Sequence, residues 1–124
     1  MKLSQGSVRL AVAMAILVVG FIATHVTAQA APRARVIKMS SKRFEYAPAH
    51  LTLKKGHPVV LQLTTKDVVM GFSLPEFNAR ADIVPDKVAQ VSFIPDKTGT
   101  FTFICDVFCG EGHERMQGTV TVVD

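Results

Sequence analysis

The stretch Cys105-Asp-Val-Phe-Cys109-Gly-Glu-Gly-His113-Glu-Arg-Met116 places four sulfur or nitrogen metal ligands within twelve residues. Their order is Cys, Cys, His, Met, with gaps of three, three and two residues. Thiolate and thioether sulfur favour copper(I) and similar soft ions, and imidazole binds copper in either oxidation state. Zinc rarely takes a thioether as its fourth ligand, and calcium and magnesium require oxygen. The spacing therefore predicts a copper site.

Strand-like segments lie on both sides of this cluster. Thr100-Phe-Thr-Phe-Ile104 precedes it, and Gly118-Thr-Val-Thr-Val-Val123 follows it. The four ligands are therefore expected on a loop between two strands, where a rigid scaffold carries the functional groups.

Further short segments with strand character recur along the chain between Gly and Pro turn signals. The predicted strands are residues 36–39, 44–46, 51–53, 59–65, 72–74, 88–94, 100–104 and 119–123. Residues 40–43 are predicted to form a polar turn, and residues 75–80 a loop. Because no long helical period interrupts this pattern, the fold class is predicted to be all-β, as a β-sandwich.

The spacing C-x3-C-x3-H-x2-M resembles the ligand loop of the binuclear copper A domain. That domain occurs in cytochrome c oxidase subunit II and at the C-terminus of nitrous oxide reductase. Asp67-Val-Val-Met70-Gly-Phe-Ser-Leu-Pro75 and residues 91–103 resemble the family sequence before the loop, and the likeness covers residues 36 to 123. The resemblance implies a Greek-key cupredoxin fold, one or two copper ions and electron transfer.

The resemblance also implies the ligands: Cys105, Cys109, His113 and Met116, together with the backbone carbonyl of Val107. The family often has Glu at the position of Val107, but a backbone carbonyl is available from any residue. Met70 is the main departure, because the family has its first histidine there. Either its thioether binds copper, which favours copper(I) and raises the reduction potential, or Met70 is a core residue.

Two other histidines are candidates to replace the missing one. His57 is expected in the turn at the opposite end of the strand 59–65 from Met70, and His50 begins a strand that leads into the same turn. Neither is expected to bind the metal.

A disulfide is the alternative for the two cysteines of an exported chain. Cys105 and Cys109 are four residues apart, so a bridge would close a very small ring and stabilise the fold little by chain entropy. With His113 and Met116 at ligand spacing, the copper site is favoured. A disulfide is expected in the metal-free, oxidised protein.

Residues 1–30 have the pattern of an export signal. Lys2 and Arg9 precede an apolar run over residues 10–23, and Ala28-Gln-Ala30 is an A-x-A cleavage site. The alternative is an uncleaved membrane anchor formed by residues 10–26. Either way, residues 31–124 are expected to form a copper-binding domain that is periplasmic or otherwise exported. Its net charge is +2 rather than the +4 of the whole chain, which argues against a nucleic-acid partner.

Electron transfer to or from a redox partner, such as a cytochrome or an oxidase, is the favoured function. The alternative is copper(I) storage or delivery to a copper-accepting protein, since the predicted ligands are rich in sulfur. A domain that kept the fold and lost its function is disfavoured by the complete Cys, Cys, His and Met set.

An enzyme in its own right is not expected, because no nucleophile, base and acid set is present. The chain lacks the two-helix anchor usual in oxidase subunit II, so a free-standing relative is expected.

Overall fold

The computed structural model describes residues 26–124, in which Ala31–Asp124 forms a compact unit. The strands in this range are β1 (Arg35–Lys42), β2 (Glu45–Ala47), β3 (His50–Lys54), β4 (Val59–Thr65), β5 (Met70–Leu74), β6 (Ala79–Ile83), β7 (Ala89–Phe93), β8 (Gly99–Ile104) and β9 (Gln117–Val123). Two short 3-10 helices span Pro75–Phe77 and His113–Arg115. None of the helices in the described part of the chain is long and apolar enough to cross a membrane. The predicted export signal lies outside the described residues, except for residues 26–30, so its cleavage stays a prediction.

The strands form two sheets, with the orders β2-β1-β4-β7 and β3-β9-β8-β5-β6. The pairs β1–β4 and β3–β9 are parallel, and the other pairs are antiparallel. Buried and exposed residues alternate along strands such as β3, so each sheet turns one face to a shared core. The predicted all-β sandwich is confirmed.

The core is filled by side chains from both sheets. Leu61 and Leu63 of β4 are fully buried, as are Phe72 of β5 and Phe103 of β8. The Tyr46 ring meets the Phe72 and Phe103 rings edge-on, with centroid distances of 6.2 and 5.1 Å. Edge-to-face contacts of this kind add to the free energy gained from burying the rings.

Two local predictions were wrong. Residues 40–42 continue β1 rather than turn, because β1 pairs with β4 through Ser41↔Thr65 and the Ser41 hydroxyl donates to the Thr64 carbonyl. The predicted loop over residues 75–80 ends early. Asn78, in a left-handed conformation, closes the 3-10 helix, and the chain returns along β5 as β6. Alanines at two of the inward positions of β6 give it a weak strand signal.

The topology places the ligand loop, residues 105–116, between neighbouring strands β8 and β9. Strand β5 lies on the other side of β8 but pairs with it only at Ser73↔Ile104. Beyond that pair the chain leaves β8 and enters the loop, which therefore lies beside the first residues of β5.

Candidate metal centre

The ligand loop folds back on itself through short-range backbone hydrogen bonds. The Cys105 N–H donates to the Met116 carbonyl at 3.2 Å, which joins the two ends of the loop. Gly110 and Gly112 have φ values of 135° and 100°, a region that favours glycine, and the 3-10 helix follows directly. These turns bring His113 and Met116 back towards the cysteines.

The predicted loop ligands converge in space. The Cys109 Sγ lies 3.9 Å from the Cys105 Sγ, 3.9 Å from the His113 Nδ1 and 3.9 Å from the Met116 Sδ. One ligand atom from each of Cys105, Cys109 and His113 falls within 4.8 Å of the others. The Cys105 thiol donates to the Val107 carbonyl at 3.1 Å, so the fifth predicted donor atom lies beside the first.

The donor set fits a copper ion. Metal–thiolate bonds are about 2.3 Å long in zinc sites, so two sulfur atoms bound to one ion lie up to roughly 4.6 Å apart. The 3.9 Å between the two cysteine sulfurs meets this condition and is too long for a disulfide, and both cysteines are free thiols. The two thiols, one imidazole and one thioether are the donors that soft copper prefers.

Burial keeps these donors out of water. Cys105, Cys109 and Met116 are 3%, 6% and 1% exposed. Burial raises the pKa of the Cys109 thiol, so the metal-free site holds a neutral thiol at neutral pH. A bound metal must therefore displace protons, and metal affinity is expected to rise with pH.

Strand β5 contacts the site from the other side. The Gly71 N–H donates to the Cys105 Sγ at 3.4 Å, and the Gly71 carbonyl accepts from the Tyr46 hydroxyl at 2.6 Å. Burial raises the pKa of Tyr46 far above its ordinary value, so the phenol stays protonated and keeps donating. This role of Tyr46 could not be predicted from the sequence, because a single tyrosine in a predicted strand carries no signal for such a contact.

Met70 lies at the start of β5, where it pairs with Ile83 and is fully buried. The residue after it contacts Cys105, so position 70 is part of the strand that borders the site. Met70 is also a member of the buried hydrophobic cluster, as expected of a core residue. Metal binding by Met70 stays a prediction.

His50 and His57, which were not expected to bind the metal, are not among the converging donors. The His50 Nδ1 lies 2.7 Å from the Thr119 hydroxyl, and His57 lies in the turn after β3. The His, Cys, Asp and Glu cluster found within residues 26–124 contains neither of them. Phe108 is 75% exposed, and its ring centroid lies 5.7 Å from that of His113. An exposed apolar ring therefore lies beside the imidazole.

Two cytochrome c oxidase subunit 2 sequences are similar to this chain. Cytochrome c oxidase subunit 2 of Thermus thermophilus is 29% identical over 94 residues, which cover 76% of this chain and 70% of that protein. The chain spans 56% of a second subunit 2 sequence from the same species, at the same identity.

Two solved structures are also similar. The periplasmic domain of subunit II of cytochrome oxidase (CoxB) of Bradyrhizobium japonicum superposes with a TM-score of 0.68 at 22% identity, over 77% of this chain and 88% of that one. The metal binding domain of the Cu(I) exporting P-type ATPase CopA of Streptococcus pneumoniae D39, solved with Cu(I), gives 0.58 at 25% identity, over 72% and 85%.

The family model of the cupredoxin-like domain matches residues 12–122, nearly the whole sequence. The match includes every strand from β1 to β8 and all of the ligand loop. This chain therefore belongs to the cupredoxin-like domain family and is homologous to the copper A domain of cytochrome c oxidase subunit II.

Proposed function

We propose that this protein is an exported copper-binding cupredoxin that transfers electrons to or from a redox partner protein. The observation that carries the proposal is the convergence of the Cys105, Cys109 and His113 donor atoms within 4.8 Å, with the Met116 sulfur beside them. A bound copper supplies a one-electron couple. Cys105 and Cys109 would hold it as thiolates, and His113, Met116 and the Val107 carbonyl would complete the site.

The scaffold suits electron transfer because it holds the donors in one arrangement. Cys105 is tied to Gly71 of β5 and, through its N–H, to Met116 at the far end of the loop. Donors held in this way move little between oxidation states, which keeps the reorganisation that accompanies each electron small. The burial of both cysteines also excludes water from the sulfur atoms.

The exposed end of the site offers a contact surface for a partner. Phe108 is exposed on the ligand loop beside His113, and Val68 and Val69 are exposed in the turn that leads into β5, the strand that borders the site. We assign this surface to a redox protein such as a cytochrome or an oxidase. The similarity to oxidase subunit II supports that assignment.

The proposal is tested by copper stoichiometry and redox behaviour together. Native mass spectrometry of the copper-loaded protein gives the number of ions, and the visible spectrum is followed through cycles of oxidation and reduction. A coloured copper(II) form that is regained after each cycle is expected. A site that binds only copper(I), stays colourless and releases the ion to a chelator would contradict electron transfer.

That contrary result would instead favour copper(I) storage or delivery in the exported space. The sulfur-rich donor set, with Met116 at 3.9 Å from Cys109 and a methionine at position 70, favours this second function. The similarity to a metal binding domain of a Cu(I) exporting ATPase also supports it. Transfer of copper(I) to an acceptor protein, followed by mass spectrometry of both proteins, is its direct test.

Export is a separate part of the proposal. If residues 1–30 are a cleaved signal, the protein recovered from the periplasm begins at or near Ala31. Intact mass measurement checks this start. Full-length protein that fractionates with membranes would favour an anchor formed by residues 10–26.

A further inference from the structure

An ion pair joins the ligand loop to the sheet at a residue that lies between two predicted ligands. Asp106 follows Cys105 and precedes Val107, and its carboxylate accepts from the Arg80 Nε at 2.6 Å and the Arg80 Nη2 at 3.2 Å. Arg80 belongs to β6 and also pairs with Asp82 of the same strand at 2.7 Å. Two parallel bonds from one guanidinium fix direction as well as distance.

Strand β5 leaves room for this contact. Gly71 pairs directly with Asp82, so the missing side chain of residue 71 would point to the same outer face as Arg80 and Asp82. A Cβ atom at Gly71 would overlap the Asp106 carboxylate and would lie 3.1 Å from the Val107 nitrogen. The glycine thus lets Asp106 lie against β5 while the Gly71 N–H reaches the Cys105 sulfur.

We propose that Arg80, acting through Asp106, is a positioning residue for the copper site. It fixes the segment 105–107, which carries the Cys105 thiol and the Val107 carbonyl. Among the ion pairs of residues 26–124, Arg80–Asp106 is the one that joins the ligand loop to a strand. The inference rests on the proposed copper function and adds a residue that does not touch the metal.

The expected effect is local. The Arg80 and Asp106 side chains are 46% and 27% exposed, and ion pairs with this exposure contribute little to global stability. Residues that orient metal ligands, in contrast, typically change metal affinity by about 10- to 100-fold when they are replaced. A positioning role therefore predicts a change in copper affinity with nearly unchanged thermal stability.

The test compares three variants, Arg80→Met, Asp106→Asn and the double variant that carries both changes, with a control. The matched control is Asp82→Asn, because it removes the same charge as Asp106→Asn and the other ion pair of Arg80 but leaves the loop contact in place. Copper(I) affinity is measured by competition with a chromophoric copper(I) chelator, and the melting temperature is recorded for each protein.

Arg80→Met and Asp106→Asn are each expected to weaken copper(I) binding by about tenfold or more, and the double variant by no more than the larger single effect. Asp82→Asn is expected to stay within about threefold of the parent, as an exposed pair does. Arg80→Lys keeps the charge but loses the paired bonds, so an intermediate affinity is expected. Additive effects in the double variant, or an Arg80→Met protein that binds like the parent, would overturn the proposal.

A second measurement needs no metal. In the reduced, copper-free protein, amide hydrogen exchange of Gly71 reports how firmly Cys105 is held against β5. Arg80→Met is expected to speed this exchange, and Asp82→Asn is not. Unchanged exchange in Arg80→Met would overturn the positioning role. A parent protein that binds no copper would refute the proposed function, while the exchange rates would still decide the role of Arg80.

Discussion

The ligand loop and strand β5 approach Cys105 from two sides, and they are built from different kinds of contact. The loop is local: Cys105 and Met116 are joined by one backbone hydrogen bond, and the donors between them converge through glycine turns. Strand β5 reaches the same sulfur from 34 residues away, through the Gly71 N–H. The loop therefore supplies the donor atoms, and the strand supplies the surface against which they are held.

This difference separates what the loop does for metal binding from what the strand does for the properties of the bound metal. Replacing the loop donors should weaken copper binding most, whereas replacing Met70 of β5, or Tyr46 behind it, should mainly alter the redox behaviour or the stability of the protein.

Replacing either cysteine by serine should disrupt copper binding by the ligand loop. Each variant leaves one thiolate, one imidazole and thioether sulfur, and a hydroxyl is a poor ligand for soft copper. Copper affinity is expected to fall by about 100-fold or more, beyond the usual effect of residues outside the ligand set. Chelator competition measures the affinity of Cys105→Ser and Cys109→Ser.

Met116→Leu is the matched control, because it keeps the volume of a buried side chain and removes only the sulfur. It is expected to weaken binding less than either serine variant. A Cys105→Ser protein that holds copper as tightly as the parent would show that the two cysteines do not share a site.

Variants of Met70 test what strand β5 contributes to the metal site. Met70→His introduces a second imidazole, which stabilises copper(II) better than a thioether does, so a lower reduction potential and a spectrum closer to that of a binuclear copper A site are expected. Met70→Ala is expected to keep copper, because the loop donors remain. Its buried cavity should lower the free energy of unfolding by about 2 to 5 kcal/mol.

Met70→Leu separates ligation from packing at this position, since it fills the same space without sulfur. Potentials and spectra of the parent, Met70→His and Met70→Leu are compared at one pH with full copper loading. If all three agree, Met70 is a packing residue and the thioether takes no part in the metal site.

Variants of Tyr46 test the hydrogen bond that links its hydroxyl to strand β5. Tyr46→Phe removes the hydroxyl that donates to the Gly71 carbonyl and leaves a buried acceptor without that donor. The free energy of unfolding is expected to fall by about 1 to 3 kcal/mol, measured by urea unfolding of the reduced, copper-free protein. Tyr46→Leu also loses the aromatic contacts with Phe72 and Phe103, so a larger loss is expected. Equal stability of Tyr46→Phe and the parent would mean that this hydrogen bond does not support β5.

The same division explains what the sequence alone could predict. The convergence of Cys109 with His113 and Met116 follows from spacing within one loop, and the β-sandwich follows from the alternation of strands such as β4 and β9. The bonds from Gly71 to Cys105 and from Arg80 to Asp106 join residues 34 and 26 positions apart. Such contacts depend on the register of β5 against β6 and on its place beside β8, which no local pattern specifies. Strand β6 itself was missed in part for a local reason, the low strand propensity of its alanines.

The smallest expected effect concerns Asp67, in the turn that leads into β5. The Arg43 N–H donates to Asp67 at 3.0 Å and the Arg43 guanidinium pairs with it at 3.0 Å, and the Arg43 side chain lies near Gly110 of the ligand loop. The backbone hydrogen bond from Arg43, with the guanidinium, lowers the pKa of Asp67. A carboxyl whose pKa is lower in the folded state stabilises the fold above its unfolded pKa of about 3.9, and this contribution is lost as the pH falls through the folded pKa.

The urea midpoint of Asp67→Asn should therefore lie below that of the parent at pH 6, and the gap should close towards pH 3. Asp96→Asn is the control, because it removes the same charge from an exposed position in the turn before β8. Its gap to the parent is expected to be smaller at pH 6. A gap for Asp67→Asn that is the same at both pH values would show that the Arg43 contact does not depend on the carboxylate charge. The turn before β5 would then be held by its backbone geometry rather than by the ion pair.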